Sequence, residues 1–242
     1  MMTKTQAIVL HSLKYGETRL IVDMFTRSHG RLSFIVSLPK SPKSKVKKQF
    51  FQPLTLLEIE ADVRQSLQLQ KLKDVRILLS YVTIPFNPHK LSMTMFVADF
   101  LYHALRGEQQ NVLLFDYVSS SLQWLDGQDQ HFANFHLVFL MRMSRFLGFY
   151  PNLEDYVPGD YFDLRESVFM SVPPVHHDFL QPEEAEKVSL MMRMDYPTMH
   201  LYKMTHKERN RLLVVALTYY RLHLPNFPEL RSLAVLQEMY QE

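Results

Sequence analysis

The chain has 242 residues, 47% of them hydrophobic and 21% charged, with no cysteine and a formal net charge of +2. That composition supports one or two globular domains with an ample apolar core, and it excludes disulfides and thiolate metal sites. It holds no apolar run of about eighteen residues, as a membrane helix needs, and the apolar stretch near its N-terminus is too short for a signal peptide, so a cytoplasmic protein is expected. The small total charge hides a division. Residues 1–80 carry fourteen Lys/Arg against six Asp/Glu, and residues 81–242 carry thirteen against nineteen. A basic first third joined to an acidic remainder points to two modules with different partners, although lysines that only keep a protein soluble give the same count.

The first eighty residues read as strands. Residues 5–13 alternate and are rich in Ile, Val and Leu, and residues 17–26 place Leu20, Val22 and Met24 on one face. Ser28-His29-Gly30 is a turn with Gly30 suited to a positive φ. Residues 31–38 alternate again, which predicts a hairpin. Then come residues 54–60 and 66–73, the latter with Leu67, Leu69 and Leu72 expected on the buried side. Five short strands suit a small closed barrel, an OB-fold or an SH3-like barrel, which periodicity alone does not separate.

Between the third and fourth strands lies LPKSPKSKVKKQFFQ, with Lys40, Lys43, Lys45, Lys47 and Lys48 and no acidic residue. Lysines spaced by Ser and Pro cannot build a core, so they form a cationic loop. Aromatics at its edge offer faces for unstacked bases. Phe50, Phe51, Tyr15 and Phe34 are the candidate platforms, Phe34 being the one whose alternation buries it. Lys14, Arg19, Arg27 and Arg31 add to the basic surface, and such a set would neutralise several phosphates and make affinity fall with salt.

At Pro85 helical periodicity takes over. Residues 91–106 place Met95, Val97, Phe100, Leu101, Ala104 and Leu105 at helical spacing, and residues 112–125 repeat it with Leu113, Phe115, Val118 and Leu122 before Asp126-Gly127 stops the helix. A third helix spans 132–147, with Arg142 and Arg145 near its C-terminal end, where the dipole favours cations, and Gly148 at C′. Residues 161–164 and 167–171 predict a hairpin about Arg165-Glu166. Helices are expected at 181–192 and 205–222, the latter opened by Thr205 and Glu208 at capping-box spacing, and a last one at 230–240. Met191, Met192, Met194, Met199 and Met204 read as core filling, with an adaptable partner groove as the rival.

Catalytic signatures are missing: the sequence has no Gly-rich phosphate loop, no G-x-S-x-G and no H-E-x-x-H. His176 and His177 are adjacent, so in extended chain they point apart, and His131 and His136 lie off the helical spacing of a ligand pair. No metal site is expected.

Four segments of the first module, A-I-V-L-H-S-L-K-Y-G-E-T (7–18), F-T-R-S-H-G-R-L (25–32), P-K-S (42–44) and F-Q-P-L-T (51–55), occur with an order and spacing that resemble the RecO family of bacterial recombination mediators. F-L-G-F-Y-P-N-L (146–153) and the C-terminal R-L-L-V-V-A-L-T-Y-Y-R-L-H-L-P-N-F-P-E-L-R-S-L-A-V-L (211–236) extend the resemblance over most of the chain. It implies an α+β, multi-domain protein: an N-terminal OB-fold β-barrel at 1–80, then a mainly α-helical domain at 81–242 with a small β-hairpin insertion at 149–180. It also implies a non-enzymatic function that needs no nucleotide. Such a protein binds single- and double-stranded DNA, anneals complementary strands and works with RecR to load RecA onto DNA covered by single-strand-binding protein, whose C-terminal tail it contacts. The five loop lysines inherit the DNA-binding role, with Arg19, Arg27, Arg31 and the neighbouring Lys14, Tyr15 and Phe50 beside them. Arg142 and Arg145 are the candidates for the tail. Many family members carry a cysteine zinc knuckle after the L-G-F-Y-P-N-L region. This chain has none, so no zinc or other cofactor is expected, and Tyr161, Phe162 and Phe169 are expected to pack the hairpin instead. The alternative is a protein–protein adaptor whose basic barrel does not bind DNA.

Overall fold

The computed structural model describes residues 2–38, 46–64, 66–154 and 156–239. Five strands, β1 (Met2–Tyr15), β2 (Arg19–Thr26), β3 (Gly30–Ser37), β4 (Leu56–Asp62) and β5 (Leu69–Leu79), close into a barrel in the order β1-β2-β3-β5-β4. All pairings are antiparallel except β3 with β5, where Ser33, Phe34 and Ile35 run parallel to Leu69, Gln70 and Lys71. This closed five-stranded order is that of the OB-fold, which decides between the two barrels the sequence left open. Alternation fills the interior: Val9, Val22, Met24, Phe34, Leu57 and Ile59 are buried there, joined by Phe51 from a single 3-10 turn at Lys48–Phe51.

β5 corrects one expectation. Leu67 and Leu69 are 46% and 38% exposed, and the inward positions are Gln70, Val75 and Leu72, which packs half-buried against the core as expected. A one-residue shift flips every side chain of a strand, and here a buried polar group sets the register. The Gln70 amide nitrogen donates to the carbonyls of Arg64 (3.0 Å) and Leu67 (2.6 Å), and its oxygen accepts from the Arg64 N–H at 2.9 Å. One side chain thereby satisfies the backbone of the β4–β5 turn, which compensates for burying an amide.

In each of two helices one expected core position faces out, while Val97, Phe100, Leu101, Ala104 and Leu105, and Phe115, Val118 and Leu122, are buried as the spacing predicts. In α1 (Pro88–Ala104) Met95 is exposed, while Met93 and Phe96 are buried. In α2 (Val112–Gly127) Leu113 is exposed and Leu114 is buried. Lys90 of α1 is also buried, its ammonium donating to Thr83 Oγ1 (2.6 Å) and to the Asp126 carbonyl (3.2 Å). The Asp126 carboxylate accepts the N–H groups of Val82, Thr83 and Ile84 at 2.8–2.9 Å. Burial pushes this carboxyl up, but the three N–H donors and the Thr83 hydroxyl outweigh burial and hold it below the usual carboxylate range. The residue that reads as a helix stop thus anchors the linker that leaves the barrel.

The chain divides into two compact units, Met1–Gly127 with Leu230–Met239, and Gln128–Glu229. In the first, α6 (Ser232–Glu238) returns to α1, where the Ser232 N–H and hydroxyl donate to Asp99 Oδ2 at 3.0 and 2.8 Å. The second holds α3 (Phe135–Phe146), α4 (Pro182–Arg193), α5 (His206–His223) and a small sheet. Thr205 and Glu208 form the capping box the sequence predicts. Met191, Met192, Met194 and Met199 are buried and Met204 is half-buried, the core-filling outcome. The hairpin is present as β6 (Tyr161–Asp163) and β7 (Val168–Met170), and a third strand, β8 (Phe179–Leu180), too short to show a period, pairs with β6. Phe162 and Phe169 are buried against each other, with Tyr156 edge-on to Phe169 and Tyr161 against Phe179.

Candidate nucleic-acid interface

The β1–β2 turn gathers the first group of candidate side chains. Gly16 takes φ +69, which lets the chain reverse within Gly16–Thr18. The register sets Tyr15 opposite Arg19, with the guanidinium 5.3 Å from the centre of the half-exposed ring. Lys14 is exposed beside them. The Leu38 N–H donates to the Thr18 carbonyl at 2.7 Å, so the chain enters the lysine segment from this same turn. Lys40, Lys43 and Lys45 lie outside the described residues. Lys47 and Lys48 are exposed at the start of the 3-10 turn, and Phe50 is half-buried against the barrel core.

The outer barrel face continues from that turn. Leu13, Ile21, Ile35 and Lys71 are successive cross-strand neighbours on β1, β2, β3 and β5. Leu13 is exposed and the two isoleucines are half-buried, so an apolar stripe lies between the Tyr15–Arg19 pair and a lysine. Lys71 and Lys73 escaped the sequence reading, since they are the polar half of a strand whose register was set one residue off. Among the described residues Lys14, Arg19, Lys47, Lys48, Lys71 and Lys73 form no ion pair, whereas Lys4 and Arg76 share Glu58 and Arg64 holds Asp62. Unpaired surface cations can neutralise phosphates and release the counterions condensed along a nucleic acid, which is the thermodynamic source of salt-dependent binding. Flat or apolar side chains beside such charges give bases a surface to stack on.

Arg27 and Arg31 lie elsewhere, toward the other end of β2. Arg27 makes a bidentate pair with Asp116 of α2, both hydrogen bonds at 3.0 Å, and this pairing lowers the Asp116 carboxyl. Arg31 is 13% exposed at its side chain. It donates to the Tyr102 carbonyl at 2.5 Å, stacks 4.6 Å from that ring centre and lies 3.6 Å from Asp23. The structure therefore brings Lys14, Tyr15 and Arg19 together with the root of the lysine segment, while Arg27, its side chain 43% exposed, and Arg31 have partners within the first unit. In the second unit Arg142 and Arg145 are exposed on α3, Arg145 lying 4.9 Å from the Tyr150 ring centre.

Among the described residues of the hairpin region, the Asp163 carboxylate holds a turn. Asp163 is buried, accepts the N–H groups of Arg165 and Glu166 at 2.8 and 3.1 Å, and pairs with His176 Nε2 at 3.2 Å. One carboxylate already holding a turn and one imidazole are too few for zinc. Among the described residues no group of three or more His, Asp or Glu is placed to hold a metal ion. Tyr156, Phe169 and Phe162 form a ring cluster in the hairpin.

Similarity to known proteins extends along the chain. A family model described as "Recombination protein O N terminal" matches residues 1–81, and one described as "Recombination protein O C terminal" matches residues 85–234. The chain is similar to the "DNA repair protein RecO" of Phocaeicola vulgatus, 53% identical over 240 residues, and to that of Bacteroides fragilis, 50% identical over 241. It is 31% identical over 247 residues to that of Porphyromonas gingivalis. Each alignment covers 99% of this chain and 100% of the relative.

Proposed function

The chain belongs to the recombination protein O family of DNA repair proteins, and from that premise we propose that it is a recombination mediator which binds single- and double-stranded DNA and anneals complementary strands. The observation that carries this reading is the set of cations without ion-pair partners among the described residues around the β1–β2 turn and on the outer barrel face, with Tyr15 and the Leu13–Ile21–Ile35 stripe between them. Lysines hold the strand backbones and reduce repulsion between two strands, while base edges stay free to pair. No covalent step is required, and no cofactor is assigned. DNA handling falls to residues 1–80 and protein docking to residues 81–242. The partners are RecR, in loading RecA, and the C-terminal tail of single-strand-binding protein, to which Arg142 and Arg145 are assigned. No described helix is long and apolar enough to cross a membrane. We assign the protein to the bacterial cytoplasm, on nucleoid DNA.

Gel-shift titration with a single-stranded oligonucleotide at two salt concentrations tests the reading. Replacing Lys40, Lys43, Lys45, Lys47 and Lys48 by alanine should weaken binding uniformly across sequences. The plot of log K against log salt should become shallower by about 0.7 for each phosphate that the variant no longer neutralises. A variant that binds and anneals as wild type at moderate salt would remove the loop as the main DNA-binding element. The apolar stripe would also suit a protein surface, and DNA binding that is absent or indifferent to salt would favour a protein–protein adaptor. Metal analysis of protein purified without chelator should give no stoichiometric zinc, and a one-to-one signal would overturn that assignment.

A further inference from the structure

Residues 128–229 contain a cavity of about 230 Å³ that the proposed DNA-binding barrel does not use. His131, Asn134, His200, Lys203 and Arg209 lie on its wall, which carries no carboxylate. Local bonding fixes this arrangement. Asn134, buried at the entry to α3, donates through its amide nitrogen to the carbonyls of Met199 and Tyr202, both at 3.0 Å. Two acceptors that would repel an anion are thereby neutralised. The Asn134 oxygen accepts from Arg209 Nε at 2.9 Å, and Arg209 Nη2 donates to the Met204 carbonyl at 3.2 Å, so the guanidinium is held in place. His131 takes a left-handed φ of +66, and its ring centre lies 5.0 Å from that of His200. The acid in the first turn of α5, Glu208, is already engaged by Lys187 at 2.7 Å and by the Thr205 N–H at 3.0 Å.

A metal ion is a poor occupant of this space. Two imidazoles and the sulfurs of Met199 and Met204 resemble a soft-metal donor set, but Lys203 and Arg209 place fixed positive charge on the same wall. An oxyanion meets the opposite situation, because ammonium, guanidinium and imidazole N–H groups all donate strongly to charged oxygen. At about 30 Å³ for each water, the volume holds such an anion with part of its hydration. We propose that this cavity is a binding site for a phosphate group, with Lys203 and Arg209 supplying charge and His131 and His200 supplying donors. The site depends on no residue of the barrel, so it stands or falls separately from the DNA-binding reading. Its phosphate could come from a free anion or from a nucleic-acid backbone, which share this chemistry.

The test uses the full chain. Inorganic phosphate is titrated against chloride at constant ionic strength, and the imidazole proton signals of His131 and His200 are followed by NMR, assigned with His131→Ala and His200→Ala. Those two signals should shift saturably. Lys203→Met should weaken the response about tenfold, the size of one charge-assisted hydrogen bond. Lys203 and His200 are not part of the buried core, so these substitutions leave it intact, and an unchanged urea midpoint verifies this. A single-stranded oligonucleotide forms the second arm. If it moves the same two signals and competes with phosphate, the backbone is the source; if only free phosphate acts, a small anion is. A shift that chloride reproduces, a response unchanged in Lys203→Met, or an aspartate-rich peptide binding where phosphate does not, overturns the proposal.

Discussion

Gly30→Ala is expected to destabilise the first unit by about 2–5 kcal/mol, combining the left-handed backbone cost with that of overpacking. Gly30 starts β3 at φ +68, and its backbone is tightly enclosed. The Arg31 N–H donates to the Glu108 carbonyl at 3.0 Å, which draws the loop after α1 onto the start of the strand. A Cβ on residue 30 would lie inside contact distance of the Glu108 and Gln109 backbone, and no side-chain rotation relieves a clash with main chain. Gly16 supplies the control. Its φ is +69, yet a Cβ there would meet nothing within 4 Å. Gly16→Ala should therefore show only the conformational part, about 1–2 kcal/mol. Urea unfolding of both variants separates the contributions, and equal losses would show that the 108–109 backbone does not restrict residue 30.

Asp126→Ala is expected to cost about 3–5 kcal/mol, the range for removing one partner from a buried charged network. The change leaves the N–H groups of Val82, Thr83 and Ile84 without their acceptor and removes the negative charge from the cluster around the Lys90 ammonium. The pH dependence has a definite sign. The folded-state carboxyl lies below its ordinary range, so its contribution is complete at neutral pH and is lost as pH falls through the depressed value. Asp126→Asn preserves the shape and one acceptor oxygen but cannot titrate. Wild type should therefore lose more stability than Asp126→Asn between pH 7 and about pH 3. Identical acid slopes for the two proteins would show that the carboxylate charge contributes nothing to the anchor.

Strand number, barrel closure and the helical remainder were legible because they rest on apolar periodicity, which the core of each element must obey. Phe34 follows its alternation into the barrel, and Thr205 with Glu208 caps α5 as spacing predicts. The β5 misreading occurs where a polar residue occupies an inward position. Gln70 and Lys90 are buried because each satisfies groups outside its own strand or helix, which a local pattern cannot show. In the candidate interface too, distant partners decide what a charge does. Charge counting marks Arg27 and Arg31 as readily as Arg19, but their pairing with Asp116 and Tyr102 spans 89 and 71 residues. Lys71 and Lys73 escaped notice because the register of β5 was set by Gln70 and not by leucines.

The return of α6 to α1 makes the first unit discontinuous in sequence, with its last piece separated from the rest by Gln128–Glu229. During synthesis the ribosome must finish that whole intervening stretch before Ser232 can reach Asp99. At ordinary elongation rates the delay is roughly 5–20 seconds, far longer than strand pairing or helix formation requires. The nascent barrel thus waits with one face of α1 uncovered, and chaperone engagement during translation should concentrate there.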